Sequence, residues 1–300
     1  MAEGVFYKTD GHGNIQLLNM ETTWSKYWSM IIPGDFSGNG FTGLLFYDPT
    51  VGEGAFYSTN GQGKKQLLNK ETAWSKYWSM IIPGDFSGNG FTGLLFYNPT
   101  VGEGAFYSTN GQGKKQLLNK ETTWRKTWSI ILPGNFGGNE FTDLLFYDPT
   151  VGEGAFYSTN GQGKKQLLKM HTNWRKTWSI ILPGNFGGNG FTDLLFYDPT
   201  VGEGAFYSTD GQGNMQLLRK YTGWRKTWSM IIPGNFGGNG FTDMLFYDPT
   251  VGEGAFYSTN GQGDLQRLTL TTWRKTWSII LPGNFGGNEY TDLLFYDRNP

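Results

Sequence analysis

A segment of about 50 residues recurs along the whole chain. The stretch Gly54-Ala55-Phe56-Tyr57-Ser58-Thr59 returns at Gly104, Gly154, Gly204 and Gly254, with a variant at Gly4, and the period is 50 until one residue drops out near Thr271. A fixed period of this kind marks a repeat architecture, in which each unit buries its apolar face against its neighbours. A chain of 300 residues would ordinarily suggest two domains, but a chain of one repeated unit is counted by its units. Residues 1–300 are therefore read as one domain of six repeats. Residues Val101 to Leu118 are identical to Val51 to Leu68 and Val151 to Leu168, so one unit can be read for all.

In the third unit, Trp128-Ser129-Ile130-Ile131-Leu132 is a short apolar, β-branched run stopped by Pro133-Gly134, and it predicts a buried first strand. A glycine-rich turn leads to a second strand at Leu144-Leu145-Phe146-Tyr147-Asp148, ended by Pro149, Gly152 and Gly154. The third strand, Ala155 to Thr159, meets the turn Asn160-Gly161-Gln162-Gly163, whose Asn-Gly pair tolerates the positive φ of a hairpin. The fourth, Lys164 to Leu168, runs into a variable stretch suited to an exposed outer edge. No helical period survives.

Four antiparallel strands repeated six times with short turns predict an all-β, six-bladed propeller, inside the range of about 4 to 8 blades that such folds adopt. The chain begins at a third strand and ends at a second, Leu293 to Asp297, so one blade is expected to be closed by both termini. An open β-solenoid fits less well, because its ends need capping units rather than complementary halves. The 46 glycines and 17% aromatic residues suit tight turns and a core of flat rings.

A formal net charge of -1 provides no basic field for nucleic acid. No apolar run reaches the roughly 18 residues of a membrane span, and the start, Met1 to Lys8, lacks a signal-peptide core, so a soluble chain without an address is expected, its compartment open. Without cysteine there are neither disulfides nor thiolate metal sites. No cofactor is expected.

The turn between the first two strands reads Gly34-Asp35-Phe36-Ser37-Gly38-Asn39-Gly40-Phe41-Thr42-Gly43-Leu44 in the first unit and Gly184-Asn185-Phe186-Gly187-Gly188-Asn189-Gly190-Phe191-Thr192-Asp193-Leu194 in the fourth. It resembles the FG-GAP (integrin-α-like, VCBS) propeller repeat, in all six units. That resemblance implies a propeller whose acidic turns often hold Ca²⁺. Calcium needs several oxygen ligands, commonly more than one carboxylate, and each turn here keeps one: Asp35 and Asp85 in the first two units, Asp143, Asp193, Asp243 and Asp292 in the others. Asp35 and Asp143 are weak calcium candidates. The alternative is that Asp or Asn accepts backbone amides to hold the turn.

All twelve tryptophans fall in six Trp-x-x-x-Trp pairs. The second of each pair, such as Trp128, opens the first strand and is expected to pack between blades. The first lies in the link between blades. Trp24, Trp74, Trp124, Trp174, Trp224 and Trp273, flanked by Lys26, Lys76, Arg125, Lys126, Arg175, Lys176, Arg225, Lys226, Arg274 and Lys275, either stack on a sugar ring or are structural rings covered by the cation stems. Strand alternation puts this link on the same face as the loop after the second strand, which carries Asp148 and Glu153 with their counterparts Glu103, Glu203 and Glu253. Rings, cations and acids on one face can orient a small polar ligand, or the Glu153 type can simply pair with the Arg.

The order of Trp-Arg link, acidic turn, strand and Phe-Tyr-Ser-Thr-Asn-Gly hairpin also resembles the Psathyrella velutina type of fungal lectin, which has seven blades. The resemblance implies binding of N-acetylglucosamine or sialylated glycans. Identical weak sites around a ring gain avidity, on the order of 10²-fold, so a multivalent carbohydrate-binding monomer is the leading expectation. The alternative is a protein-interaction or structural scaffold, natural or engineered. Catalysis is not expected, because near-equal blades offer no single set of unequal groups, and the two histidines, His12 and His171, occupy non-matching positions.

Overall fold

The computed structural model describes all 300 residues. Strands β1 (Ala2–Thr9) and β2 (Ile15–Trp24) precede β3 (Met30–Gly34), β4 (Gly43–Asp48), β5 (Glu53–Thr59) and β6 (Lys65–Glu71). The last four form one sheet in the order β3-β4-β5-β6, every pair antiparallel. The same blade recurs as β7 to β10 within 80–121, β11 to β14 within 130–171, β15 to β18 within 180–222 and β19 to β22 within 230–272, followed by β23 (Ile279–Gly283) and β24 (Asp292–Asp297).

The sixth blade has the order β2-β1-β24-β23, joining both ends of the chain. Glu3 pairs with Asp297 and Tyr7 with Leu293 in antiparallel register. The inner strands β3, β7, β11, β15, β19 and β23 follow one another around the axis, and β23 packs back on β3. The molecule is thus a closed six-bladed propeller.

Strand boundaries differ from the sequence expectation by one to three residues, among them the start of the first strand and the end of the fourth. The first strand begins at Ile130 rather than Trp128, although the Ser129 amide still donates to the Tyr147 carbonyl at 3.0 Å. The fourth strand extends to His171, with a bulge between Phe156 and Tyr157 of its partner that absorbs the extra residue.

The second strand of each blade is buried along its full length. Its side chains alternate between the two flanking interfaces: Leu45 and Tyr47 enter the core shared with Phe96, while Leu44 and Phe46 enter the core shared with Tyr296. A strand buried on both faces needs apolar residues throughout, which is why Leu-Leu-Phe-Tyr shows no alternation. The Tyr47 hydroxyl donates to the Ser75 carbonyl at 2.6 Å, satisfying its polar end. Burial pushes the equivalent phenols of Tyr97, Tyr147 and Tyr197 up to about 12.

Candidate functional site

The acidic turns lie on the face opposite the Trp-bearing links. In the third blade, Asp143 Oδ2 accepts the amides of Phe136 (3.0 Å) and Gly137 (2.6 Å), and Oδ1 accepts that of Thr159 (2.9 Å). Asn135 accepts from the Gly138 amide at 2.9 Å and donates to the Gly190 carbonyl of the next blade at 3.3 Å. Burial pushes the Asp143 carboxyl up, and the three backbone bonds offset it only in part. In the first blade the acceptor moves: Asp35 takes the amides of Ser37, Gly38 and Gly40 at 3.2, 2.7 and 3.1 Å. Position 43 is glycine in this blade, and its backbone there has no room for a Cβ, which would fall 2.4 Å from the Tyr57 carbonyl oxygen. Each turn carboxylate is taken up by backbone amides, and nowhere do three acidic or histidine side chains gather as a cation site. The calcium candidates Asp35 and Asp143 therefore sit as turn caps.

On the link face, the first tryptophan of each pair is not the open platform that stacking on a sugar requires. Trp24, Trp74 and Trp124 are 4%, 7% and 7% exposed, each lying over a glycine of the third strand; a Cβ on Gly104 would come within 2.4 Å of the Trp124 ring. The indole Nε1 of Trp24, Trp74 and Trp124 donates to Glu21, Glu71 and Glu121 at 2.8, 2.9 and 2.6 Å. The same carboxylates receive the ammonium groups of Lys65, Lys115 and Lys165 from the next blade. These ammoniums also lie over the tryptophan rings, 4.9 Å from the centre of Trp24 and 4.6 Å from that of Trp74.

At the other three junctions, Glu and Lys disappear together, replaced by His171 with Met215, Tyr221 with Leu265, and Thr271 with Ile15. There Trp174, Trp224 and Trp273 are half-buried, and the Trp273 Nε1 has no acceptor.

The expected orienting charges are largely paired within the protein. Arg125 bonds Glu153 at 2.5 Å and lies 3.8 Å from Asp148, with its guanidinium 5.1 Å from the centre of the Trp128 ring. Arg175 and Arg225 repeat this with Glu203 (2.9 Å) and Glu253 (2.5 Å) over Trp178 and Trp228, and Arg274 pairs with Glu3 over Trp277. Glu103, which faces no arginine, pairs with Lys120 at 2.8 Å. Thr127 donates to Asp148 at 2.5 Å. Burial opposes ionisation of Asp148, but bonds from Thr127, Thr150 and nearby amides outweigh it and hold the carboxyl below the usual range. Lys76, Lys176, Lys226 and Lys275 donate to carbonyls of Thr50, Thr150, Thr200 and Thr250 at 2.7 to 2.9 Å. Lys126 is exposed, and Lys26 lies 5.6 Å from the Tyr27 ring centre.

The concave sites lie instead between blades. One cavity is lined by Trp24, Trp28, Phe46 and Tyr57 with Thr23, Ser25 and Lys65, and its counterpart one blade on by Trp74, Trp78, Phe96 and Tyr107 with Ala73, Ser75 and Lys115. Trp24 meets Phe46 edge-on at 4.9 Å, and Trp28 and Tyr57 meet the same ring at 5.3 and 5.4 Å. A third cavity, at Trp224 and Trp228, is lined only by Tyr221, Phe246, Tyr257 and Leu265 besides those rings. Trp28 and Trp78 thus line cavities as well as packing blades, and Phe46, Tyr57 and Lys65 join the site without having been singled out in the sequence. The joint loss of Glu and Lys at three junctions is a signal in the repeats for Lys65, whereas Phe46 and Tyr57 recur in every blade and carry none.

No protein-family model matches the chain, and no curated protein matches it. The integrin-like resemblance therefore rests on the turn motif alone. Among solved structures, the chain is similar to an Agrocybe aegerita lectin described as recognising non-reducing terminal N-acetylglucosamine, at 13% identity and a TM-score of 0.60, covering 98% of this chain and 84% of that one. It is also similar to a Pseudomonas aeruginosa periplasmic gluconolactonase, at 11% identity and a TM-score of 0.56, over 91% of this chain and 78% of that one. A Bacteroides fragilis protein named as a candidate 6-phosphogluconolactonase gives 10% identity and a TM-score of 0.56, with the same coverage. At these identities the likeness is one of fold. It nevertheless corrects the expectation that catalysis is absent: the fold is shared with enzymes, so a ring of similar blades is no argument against one.

Proposed function

We propose that the chain is a carbohydrate-binding propeller whose sites are the cavities between blades, with terminal N-acetylglucosamine as the favoured ligand. The carrying observation is the pairing of edge-on aromatic walls with a small polar set, Lys65 and Ser25 beside Trp24 and Trp28, in one concave site. Sugar rings present an apolar face and a polar rim, and such a cavity offers complements to both. The likeness to a lectin of the same fold supports the choice of sugar.

A glycan array that includes N-acetylglucosamine-terminated and sialylated glycans, followed by titration calorimetry, tests the reading. Removing both wall rings with Trp28→Ala and Trp78→Ala is expected to weaken binding at least tenfold while the far-ultraviolet spectrum stays native. A folded protein that binds no glycan on the array overturns it.

A further inference from the structure

We infer that the cavities at Trp24/Trp28 and Trp74/Trp78 are the principal carbohydrate sites of the ring, and that Tyr27 and Tyr77 beside them form a second stacking subsite selecting an oligosaccharide over a single sugar. The inference rests on the carbohydrate reading above. Two differences coincide in these two units and in no other. Where four links read Arg-Lys-Thr, as in Arg125-Lys126-Thr127, these read Ser25-Lys26-Tyr27 and Ser75-Lys76-Tyr77.

The loss of Arg uncovers the second tryptophan. Trp128, Trp178, Trp228 and Trp277 lie under a guanidinium at 5.0 to 5.2 Å and are buried, whereas Trp28 and Trp78 have no such cover and are half-buried. The guanidinium is itself held by Glu153 or its equivalent, so clearing it for a ligand would break an ion pair. Serine leaves that face of the ring uncovered and itself joins the cavity lining.

The change of Thr to Tyr adds a ring where the other blades have a hydroxyl bonded to an aspartate. Tyr27 and Tyr77 are 60% and 70% exposed, the most exposed aromatic side chains of the molecule. Each is next in sequence to the cavity-lining tryptophan, and each backbone amide donates to the lining serine, at 3.2 and 3.3 Å. Neither ring packs into the blade core, and Tyr27 carries only Lys26 nearby, 5.6 Å from its centre. Such a ring suits a sugar residue adjoining the one held in the cavity. The cavity at Trp224 and Trp228 lacks both the polar lining and the exposed ring.

The test is titration calorimetry of the full chain with N-acetylglucosamine and with its β1,4-linked disaccharide. Two sites per chain are expected, with the disaccharide binding about threefold to tenfold tighter, the range of one aromatic contact. Tyr27→Thr with Tyr77→Thr, which installs the residue of the other blades, should erase that advantage and leave the monosaccharide affinity unchanged. Ser25→Arg with Ser75→Arg should remove both sites. Six equal sites, or a disaccharide advantage that survives the tyrosine substitutions, overturn this inference while leaving the carbohydrate reading intact. No binding of either sugar by a protein blank on the array overturns both.

Discussion

Buried polar atoms set the chemistry at the residue scale. Glu121 accepts from the Trp124 indole and from Lys165 of the next blade, so one carboxylate satisfies two donors across a blade junction. Glu121→Ala strands both, and a loss of about 1 to 3 kcal/mol in urea unfolding is expected. Asp143 accepts three amides with two oxygens. Asp143→Asn turns one acceptor into a donor facing an N–H, and a similar loss is expected. The carboxylates also divide by pH. Asp143, Asp193, Asp243 and Asp292 are raised by burial, so their contribution is fully present below the ordinary pKa and lost as pH rises through the raised one. Asp148, Asp198 and Asp248 are lowered despite burial, by hydrogen bonds. Their contribution is present above the ordinary pKa and lost as pH falls through the lowered one. Changing these three to Asn, the residue already present as Asn98, should flatten the decline of stability on acidification below about pH 4, the ordinary aspartate range, measured by denaturant midpoint against pH.

The element that organises each blade junction is the third strand with the tryptophan laid over it. Its opening glycine exists because the ring occupies the space a side chain would need: at Gly54, Gly104 and Gly154 a Cβ would meet an indole atom at 2.3 to 2.4 Å. Ring atoms of a tryptophan packed against Phe146 and Tyr97 cannot retreat. Gly104→Ala should therefore cost about 1 to 3 kcal/mol as an overpacked core, far more than a change to alanine costs a strand whose glycine faces open space. Denaturant unfolding monitored by tryptophan fluorescence checks it, since the displaced ring reports the change directly.

Closure is the property of the whole molecule. The terminal strands β1 and β24 pair over five residues, from Glu3 with Asp297 to Tyr7 with Leu293, and Arg274 reaches Glu3 across the same seam. Deleting residues 1–24 would leave the edge of β24 and the ring of Phe295 open. An open, apolar edge recruits another strand, so the truncated chain is expected to run in size-exclusion chromatography as species larger than those of the full chain.

The repeat alone determined the number of blades, the order of strands and the closing of the ring by both termini, because a period of 50 residues with complementary ends admits few other solutions. Asp35 was legible as a turn cap because the amides it takes lie in its own turn, whereas the Thr159 amide on Asp143 and the Thr9 amide on Asp292 are brought there by strand pairing. The roles within each tryptophan pair were decided by tertiary structure. Spacing places Trp24 on a link and Trp28 at the opening of a strand, but only the approach of the next blade buries the first beneath Lys65 and leaves the second lining a cavity with Phe46 and Tyr57. The arginines likewise carry the same sequence signature whether they meet a ligand or Glu153. Which they meet depends on a loop about 28 residues away, folded back by the strands between them.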